Sequence, residues 1–154
     1  MIVAAILAIL FALGPRLLVQ ANRFVRMSLA RTEVQRDARA ALAMINRSLR
    51  QGKASTIRVA SLSGQPPYSR IEFSKVTGAS TSKTMAFYQQ GKTLYMVDTT
   101  TYPVCQNVRY IAFAYPRTDD ASIVSVSLTT EKETYEGGAK TLQLSVEKVR
   151  IMND

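Results

Sequence analysis

Several residue types are scarce in this chain of 154 residues, and each shortage excludes a class of chemistry. Histidine is absent, which removes the commonest general base and the commonest metal ligand. Cys105 is the single cysteine, so an intrachain disulfide is excluded and a zinc site has almost no ligands. We interpret Cys105 as a small buried hydrophobic residue in a strand rather than as a reactive thiol.

Sequence patterns typical of catalysis are also scarce. Serine and lysine are plentiful, but there is no GxSxG nucleophile motif, and the glycines form no phosphate-cradling pattern. Asp119 and Asp120 are adjacent carboxylates between two strand-like runs, which is typical of a turn rather than of an acid–base pair. The sequence therefore predicts a protein that is not an enzyme and that holds no cofactor and no metal.

An uncharged apolar segment occupies the start of the chain. Its first fifteen residues read MIVAAILAILFALGP, and the first charge is Arg16. A helix that is apolar on every side must lie in lipid or among other helices. Spanning a bilayer takes roughly 17–25 residues, and Leu17, Leu18 and Val19 extend the apolar run beyond Arg16. We expect a membrane helix formed by Met1, Ile2, Val3, Ile6, Leu7, Ile9, Leu10, Phe11 and Leu13.

Positive charge is concentrated in the segment that follows. Nine basic and two acidic residues lie between Arg16 and Lys53, a net charge of +7, whereas the rest of the chain carries +2. Basic residues near a bilayer attract anionic headgroups, so Arg16, Arg23 and Arg26 are candidates for headgroup contacts. A solvated helix face, an acidic partner and nucleic acid are the alternatives.

One apolar stripe predicts that the helix continues beyond a proline. Gly14 and Pro15 interrupt the first run, where we expect a kink or local melting. Gly52 then stands where a glycine just past the last turn would end the helix. The whole of Met1–Gln51 would form a rod of roughly 75 Å. Beyond the proline, apolar residues recur at spacings that place them on one face of a helix, and this stripe predicts helix–sheet packing. The stripe residues are Val34, Ala38, Leu42, Ile45 and Leu49, together with Ala41.

From Lys53 onward the period changes to two, which predicts a single antiparallel sheet beneath the second half of the helix. Gln90-Gly91 is a hairpin signal, and a register slip around Lys148 suggests a bulge. Loops are expected at Gln65-Pro66-Pro67, Ala79–Ser82 and Gly137-Gly138. The predicted strands are Ile57–Leu62, Arg70–Val76, Thr84–Gln89, Lys92–Val97, Asn107–Tyr115, Ile123–Thr129 and Thr141–Ile151.

This order of segments resembles the type IV pilin and type II secretion pseudopilin superfamily. The opening MIVAAILAILFALGP is similar to the family's apolar stretch, for example MIVVAIIGILAAIAIP. The helix RTEVQRDARAALAMINRSLRQ (residues 31–51) resembles that of minor pilins and J-type pseudopilins, as does the final strand around Val149-Arg150-Ile151. The family's leader, its cleavage-site glycine and the glutamate five residues into the mature chain would lie upstream of Met1, so we expect a longer natural product.

The resemblance implies an α+β, pilin-like fold, with a protruding helix over residues 1–33 and a globular domain over 34–154. It implies a structural subunit, a minor pilin or pseudopilin, held in the bacterial inner membrane with its domain in the periplasm or outside. The expected partners are other subunits, inner-membrane lipids and the assembly machinery. Inside a filament, Arg16, Arg23 and Arg26 would pair with Glu33 or Asp37 of a neighbouring subunit.

Two other interpretations stay open. One is a membrane-tethered β-domain that binds a ligand or an envelope component. The other is a pilin-like subunit that binds DNA during uptake, through the basic segment and aromatic residues such as Tyr68 and Tyr110, although aromatic residues in strands more often belong to a core.

Overall fold

The chain begins as one long helix. The computed structural model describes residues 2–77, 82–134 and 140–153, and for residues 2 and 4–13 it describes the backbone only. Helix α1 runs from Ile2 to Arg50, 49 residues. At about 1.5 Å per residue the helix is about 74 Å long. A continuous rod was predicted for Met1–Gln51; the observed helix ends one residue earlier, and Met1 lies outside the described residues.

The helix continues through Pro15. Both Gly14 and Pro15 lie inside α1, so the local melting predicted at this point does not occur. A proline removes one backbone hydrogen bond and crowds the preceding turn. The turns on both sides keep their own hydrogen bonds, which is enough for the helix to tolerate one defect. A bend at Gly14 and Pro15 stays a prediction.

The helix ends against the sheet rather than in a left-handed glycine cap. Gly52 does not have the positive φ of such a cap; among the glycines that the structure describes, those with positive φ are Gly64 and Gly91. A Cβ atom built on Gly52 would lie 2.8 Å from Cδ2 of Phe73 and 3.1 Å from the carbonyl oxygen of Leu49. Glycine is therefore required here by close approach, because the backbone passes directly over an aromatic ring.

Eight strands follow in the described part of the chain, arranged in two antiparallel sheets. A short 3-10 helix over Ala54–Thr56 precedes them. One sheet has the order β1-β2-β3-β4-β5 and the other the order β6-β7-β8. The strands are β1 (Arg58–Ala60), β2 (Arg70–Val76), β3 (Ser82–Gln90), β4 (Thr93–Val97), β5 (Thr101–Cys105), β6 (Val108–Ala114), β7 (Ile123–Glu133) and β8 (Lys140–Arg150).

The predicted α+β architecture, one N-terminal helix packed on antiparallel β-structure, is confirmed. The strands form two sheets rather than the single sheet that was expected. Strand β5 was not predicted. The β3–β4 hairpin is present, with its turn at Gly91-Lys92 because Gln90 pairs with Thr93. The loops predicted at Ala79–Ser82 and Gly137-Gly138 lie outside the described residues, except that Ser82 begins β3.

The predicted bulge near Lys148 is absent. Strand β8 pairs with β7 in one unbroken register from Ile123↔Arg150 to Glu133↔Lys140. The change in apolar periodicity has another cause, because the strand buries Val149 on its inner face and exposes Leu142, Leu144 and Val146 on its outer face.

The core lies between the helix and the two sheets. Of the residues predicted for helix–sheet packing, Val34, Ala38, Leu42, Ile45 and Leu49 are all buried, and so is Ala41. All of them except Val34 pack with strand residues such as Phe73, Phe87 and Phe113 in one cluster. Among the helix residues whose burial is described, Ala30 is the first buried one. The domain therefore covers the helix from about one turn before residue 34, and residues 15–29 protrude.

Candidate assembly interface

The protruding part of the helix is exposed on every side. Each residue from Pro15 to Leu29 is exposed, and burial begins only at Ala30. This segment still carries large apolar side chains, which an isolated soluble helix would keep to one covered stripe. The exposed large apolar residues of the segment are Leu17, Leu18, Val19, Phe24, Val25, Met27 and Leu29.

Three of these side chains form a stripe on the outer face of the helix, opposite the sheet. Leu18, Val25 and Leu29 are spaced by seven and four residues, which places them on one face of a 3.6-residue helix. That face is about half a turn away from the face of Ile45, which is fully buried against the strands. The three side chains are 73%, 52% and 64% exposed. We call Leu18, Val25 and Leu29 the outer stripe.

A second apolar group faces the domain. Phe24 and Met27 line a shallow groove together with Arg31 of the helix and with Lys140 and Thr141 at the start of β8. The groove lies where the helix leaves the edge of the three-stranded sheet. The protruding helix therefore offers apolar contacts on two opposite sides.

The basic residues predicted to make contacts are positioned along the same segment. Arg16, Arg23 and Arg26 are all exposed. Arg23 and Arg26 line a small surface depression with Val19 and Asn22. Guanidinium groups here lie beside apolar side chains, an arrangement that suits a surface where an apolar and an anionic partner meet.

The two acidic residues of the helix already have partners within the chain. Glu33 forms an ion pair with Lys132 of β7, and Asp37 pairs with Arg36 at 3.0 Å. All four side chains remain at least partly exposed, and such surface pairs contribute about 0–1 kcal/mol. Loss of either ion pair would therefore cost little.

Cys105 is a buried thiol. Its Sγ donates a hydrogen bond to the backbone carbonyl of Gln106 at 3.3 Å. Burial, with a smaller contribution from the Asp37 carboxylate, raises the pKa of the Cys105 thiol to about 11. The group is therefore protonated at neutral pH, whereas nucleophilic attack needs the thiolate.

The adjacent carboxylates Asp119 and Asp120 are engaged in local turn contacts. Asp119 pairs with Arg117 at 2.7 Å, and this hydrogen bond lowers the pKa of Asp119. Asp120 accepts hydrogen bonds from the side chain and the backbone N–H of Ser122, which lower the pKa of Asp120. Both carboxylates are therefore held in the charged form. Among the described residues no group of three or more potential metal ligands is present.

Tyr110, one of the aromatic residues considered for DNA binding, does not share a surface with the helix arginines. Tyr110 alternates in β6 with the buried Ile111, so it lies on the sheet face that points away from the helix. Its hydroxyl donates to the carbonyl of Pro67 at 3.4 Å. Tyr68 is exposed in the loop before β2. The three-stranded sheet thus separates Tyr110 from the basic face of the helix.

In the described part of the chain, no helix has a stretch that is both long and apolar enough to cross a membrane. Comparison with known proteins gives no identification. Neither protein-family models, nor curated proteins, nor solved structures provide a significant match.

One exposed apolar feature was missed by sequence reasoning. The alternate residues of β8 that point away from the helix are all exposed. The pattern Leu-x-Leu-x-Val predicts a strand face that the helix covers, whereas the helix covers the opposite face of β8. We call this set the outer row of β8: Lys140, Leu142, Leu144, Val146, Lys148 and Arg150.

Proposed function

We propose that the chain is a structural subunit of a filament, a minor pilin or pseudopilin with a pilin-like fold, that assembles through the protruding part of α1. The observation that supports this most is the all-round exposure of residues 15–29 while they carry seven large apolar side chains. In water, covering one such side chain is worth roughly 1.5–3 kcal/mol. An apolar segment of this kind requires cover by lipid, by neighbouring helices, or by both in turn.

The helix has two separate tasks in this proposal. Its apolar first turns hold the subunit in the inner membrane, and the same segment later exchanges lipid for neighbouring helices. Lipid already provides an apolar environment, so association there depends on close packing rather than on the hydrophobic effect. The outer stripe provides a packing face, and the half of the helix from Ala30 onward holds the domain on the rod at a defined position.

The two acidic residues near the start of the covered half complete the proposed interface. Glu33 and Asp37 would exchange their intrachain partners for Arg16, Arg23 or Arg26 of an adjacent subunit. Because their present ion pairs are weak surface pairs, neighbour contacts in a less solvated filament core would be favoured. The assembly machinery and other subunits are then the partners of this chain.

Cysteine cross-linking in the membranes of cells that make the protein tests the proposal. In a Cys105→Ala background, Leu18→Cys and Val25→Cys would each be treated with a bifunctional thiol reagent. We expect a cross-linked pair of subunits that contains the chain, because each subunit carries one thiol and the outer stripe faces a neighbour. The matched control is Thr100→Cys, an exposed position between β4 and β5 and outside the helix.

The proposal is contradicted if Leu18→Cys and Val25→Cys give no more cross-linking than Thr100→Cys. A membrane-tethered monomer predicts that result, and it also predicts that removal of residues 1–13 leaves function intact wherever the domain is localised. A DNA-binding role predicts instead an affinity for DNA that falls steeply with salt.

A further inference from the structure

Strand β8 forms an open edge of the three-stranded sheet. It pairs with β7 along its whole length, and among the described residues no other strand pairs with it. It is 11 residues long, regular, and contains no proline. Natural proteins usually shorten, bend or interrupt an edge of this kind, because its free N–H and C=O groups can pair with another chain.

The outer row of β8 adds a side-chain pattern to this open backbone. Leu142, Leu144 and Val146 are 54%, 64% and 55% exposed. They are flanked by Lys140 on one side and by Lys148 and Arg150 on the other, and the row contains no acidic residue. Lys140 is already paired with Glu131 and Glu133 of β7, at 2.8 and 3.3 Å. The open edge thus presents three aliphatic side chains followed by two cations.

The direction of β8 relative to the helix determines whether its outer row can face the lipid surface or other proteins. Gln35 of the helix contacts Gln143, and Asn46 contacts Glu147, so β8 runs alongside α1 and in the same direction. A helix that stands upright from a membrane would hold the outer row sideways, parallel to the rod. The row then faces neighbouring proteins, not the lipid surface.

We propose that the edge of β8 receives an extended segment of a different, acidic protein as an additional antiparallel strand. Main-chain hydrogen bonds to the free edge would provide affinity, as in other cases of strand addition. Apolar residues at every second position of that segment would lie beside Leu142, Leu144 and Val146. Carboxylates at the next two positions on the same face of that segment would lie beside Lys148 and Arg150.

A second copy of this chain fits the edge poorly. Antiparallel pairing of two β8 strands centred on Leu144 would place Lys140 of each copy opposite Lys148 of the other. Like charges directly opposite each other are destabilising in a sheet. The whole chain also carries a net charge of +9. Charge complementarity therefore favours another chain with acidic residues over self-association.

Two synthetic peptides of opposite charge test this proposal on the full chain in detergent micelles. The acidic probe is ETETVTVTV, which in antiparallel pairing puts its glutamates beside Arg150 and Lys148 and its valines beside the aliphatic residues. The basic probe is KTKTVTVTV. We expect saturable binding of the acidic probe, roughly tenfold tighter than that of the basic probe, because two cross-strand charge pairs change sign. Hydrogen exchange should show new protection of β8 backbone amides.

Charge reversal on the protein provides the decisive variant. In the double variant Lys148→Glu/Arg150→Glu the preference should invert, with the basic peptide binding more tightly. The matched control is Arg39→Glu/Arg47→Glu, which reverses two exposed charges of the helix and should leave the preference unchanged. Equal binding of both peptides, or binding without protection of β8 amides, would overturn the proposal. Neither result would affect the cross-linking of the outer stripe, so the two proposals fail separately.

Discussion

The side chain of Gln89 in β3 accepts a hydrogen bond from the backbone N–H of Ile111 in β6, at 3.0 Å. Its Nε2 donates to the carbonyl oxygens of Gly91 at 2.9 Å and of Arg109 at 3.3 Å. Gln89 is buried, and the two strands belong to different sheets. One amide group therefore joins the two sheets where no strand pairing does.

Replacement of Gln89 by alanine should destabilise the domain. Gln89→Ala leaves the Ile111 N–H without this partner in the interior, and an unsatisfied buried group costs about 1–3 kcal/mol. Urea unfolding followed by circular dichroism measures the loss. The neighbouring exposed residue provides the control, since Gln90→Ala should stay within about 0.5 kcal/mol of the parent. Similar losses in both variants would mean that the link between the sheets contributes nothing.

The contact between Gly52 and Phe73 predicts a second large effect. Gly52→Ala would place a methyl group 2.8 Å from the Phe73 ring, where either the ring or the end of the helix must move. Overpacking of this kind costs about 1–3 kcal/mol. Gly52→Ala should be less harmful in a Phe73→Leu background, because the smaller side chain leaves room for the methyl group. A double-mutant cycle on the free energy of unfolding measures this coupling, and additive losses would contradict it.

Two adjacent helix positions should differ sharply in their tolerance of alanine. Ile45 is completely buried on the side of the helix that faces the strands, whereas Met44 is 43% exposed. Ile45→Ala removes core contacts and should lower the free energy of unfolding by about 2–5 kcal/mol. Met44→Ala retains helix propensity and should change it by less than about 1 kcal/mol. Thermal unfolding of the two variants checks the assignment of the buried face, and a larger effect at Met44 would overturn it.

The buried thiol of Cys105 predicts a dependence of stability on pH. Its pKa is raised from 9.0 to about 11, mainly by burial. Between these values the unfolded chain releases the thiol proton while the folded chain retains it, so stability is lost as the pH rises through this window. The loss is on the order of 2 kcal/mol. The stability difference between the parent and Cys105→Ala, measured in urea at about pH 8 and about pH 10.5, isolates this contribution because the other titrating groups are common to both. An unchanged difference would contradict it.

The helix illustrates how much local pattern can predict. The spacing from Val34 to Leu49 defined the buried stripe, since residues three and four apart in a helix share a face whatever surrounds them. The apolar first segment was identified from composition instead, because its first fifteen residues carry no charge. The spacing rule could not locate the start of the covered half at Ala30, because that depends on how far the sheet extends along the rod.

The strands show where sequence patterns fail. Strand β5 reads TYPVC and contains a proline, so its own residues predict a strand weakly. Its pairing with β4 decides its structure. In β8, periodicity suggested one buried face with a bulge, whereas the strand is regular, with Leu142, Leu144 and Val146 on its outer face and Val149 on its inner face.

The amino-acid sequence by itself determined the long helix, its buried stripe and most of the strands, because these follow from contacts between near neighbours in the chain. Only the tertiary structure decided that the strands divide into two sheets, that Gln89 joins them, and that Leu142, Leu144 and Val146 face outward. These features depend on which distant segments meet. Which face of a strand becomes buried depends on the element that packs against it. In β8, the helix packs against the face that carries Val149.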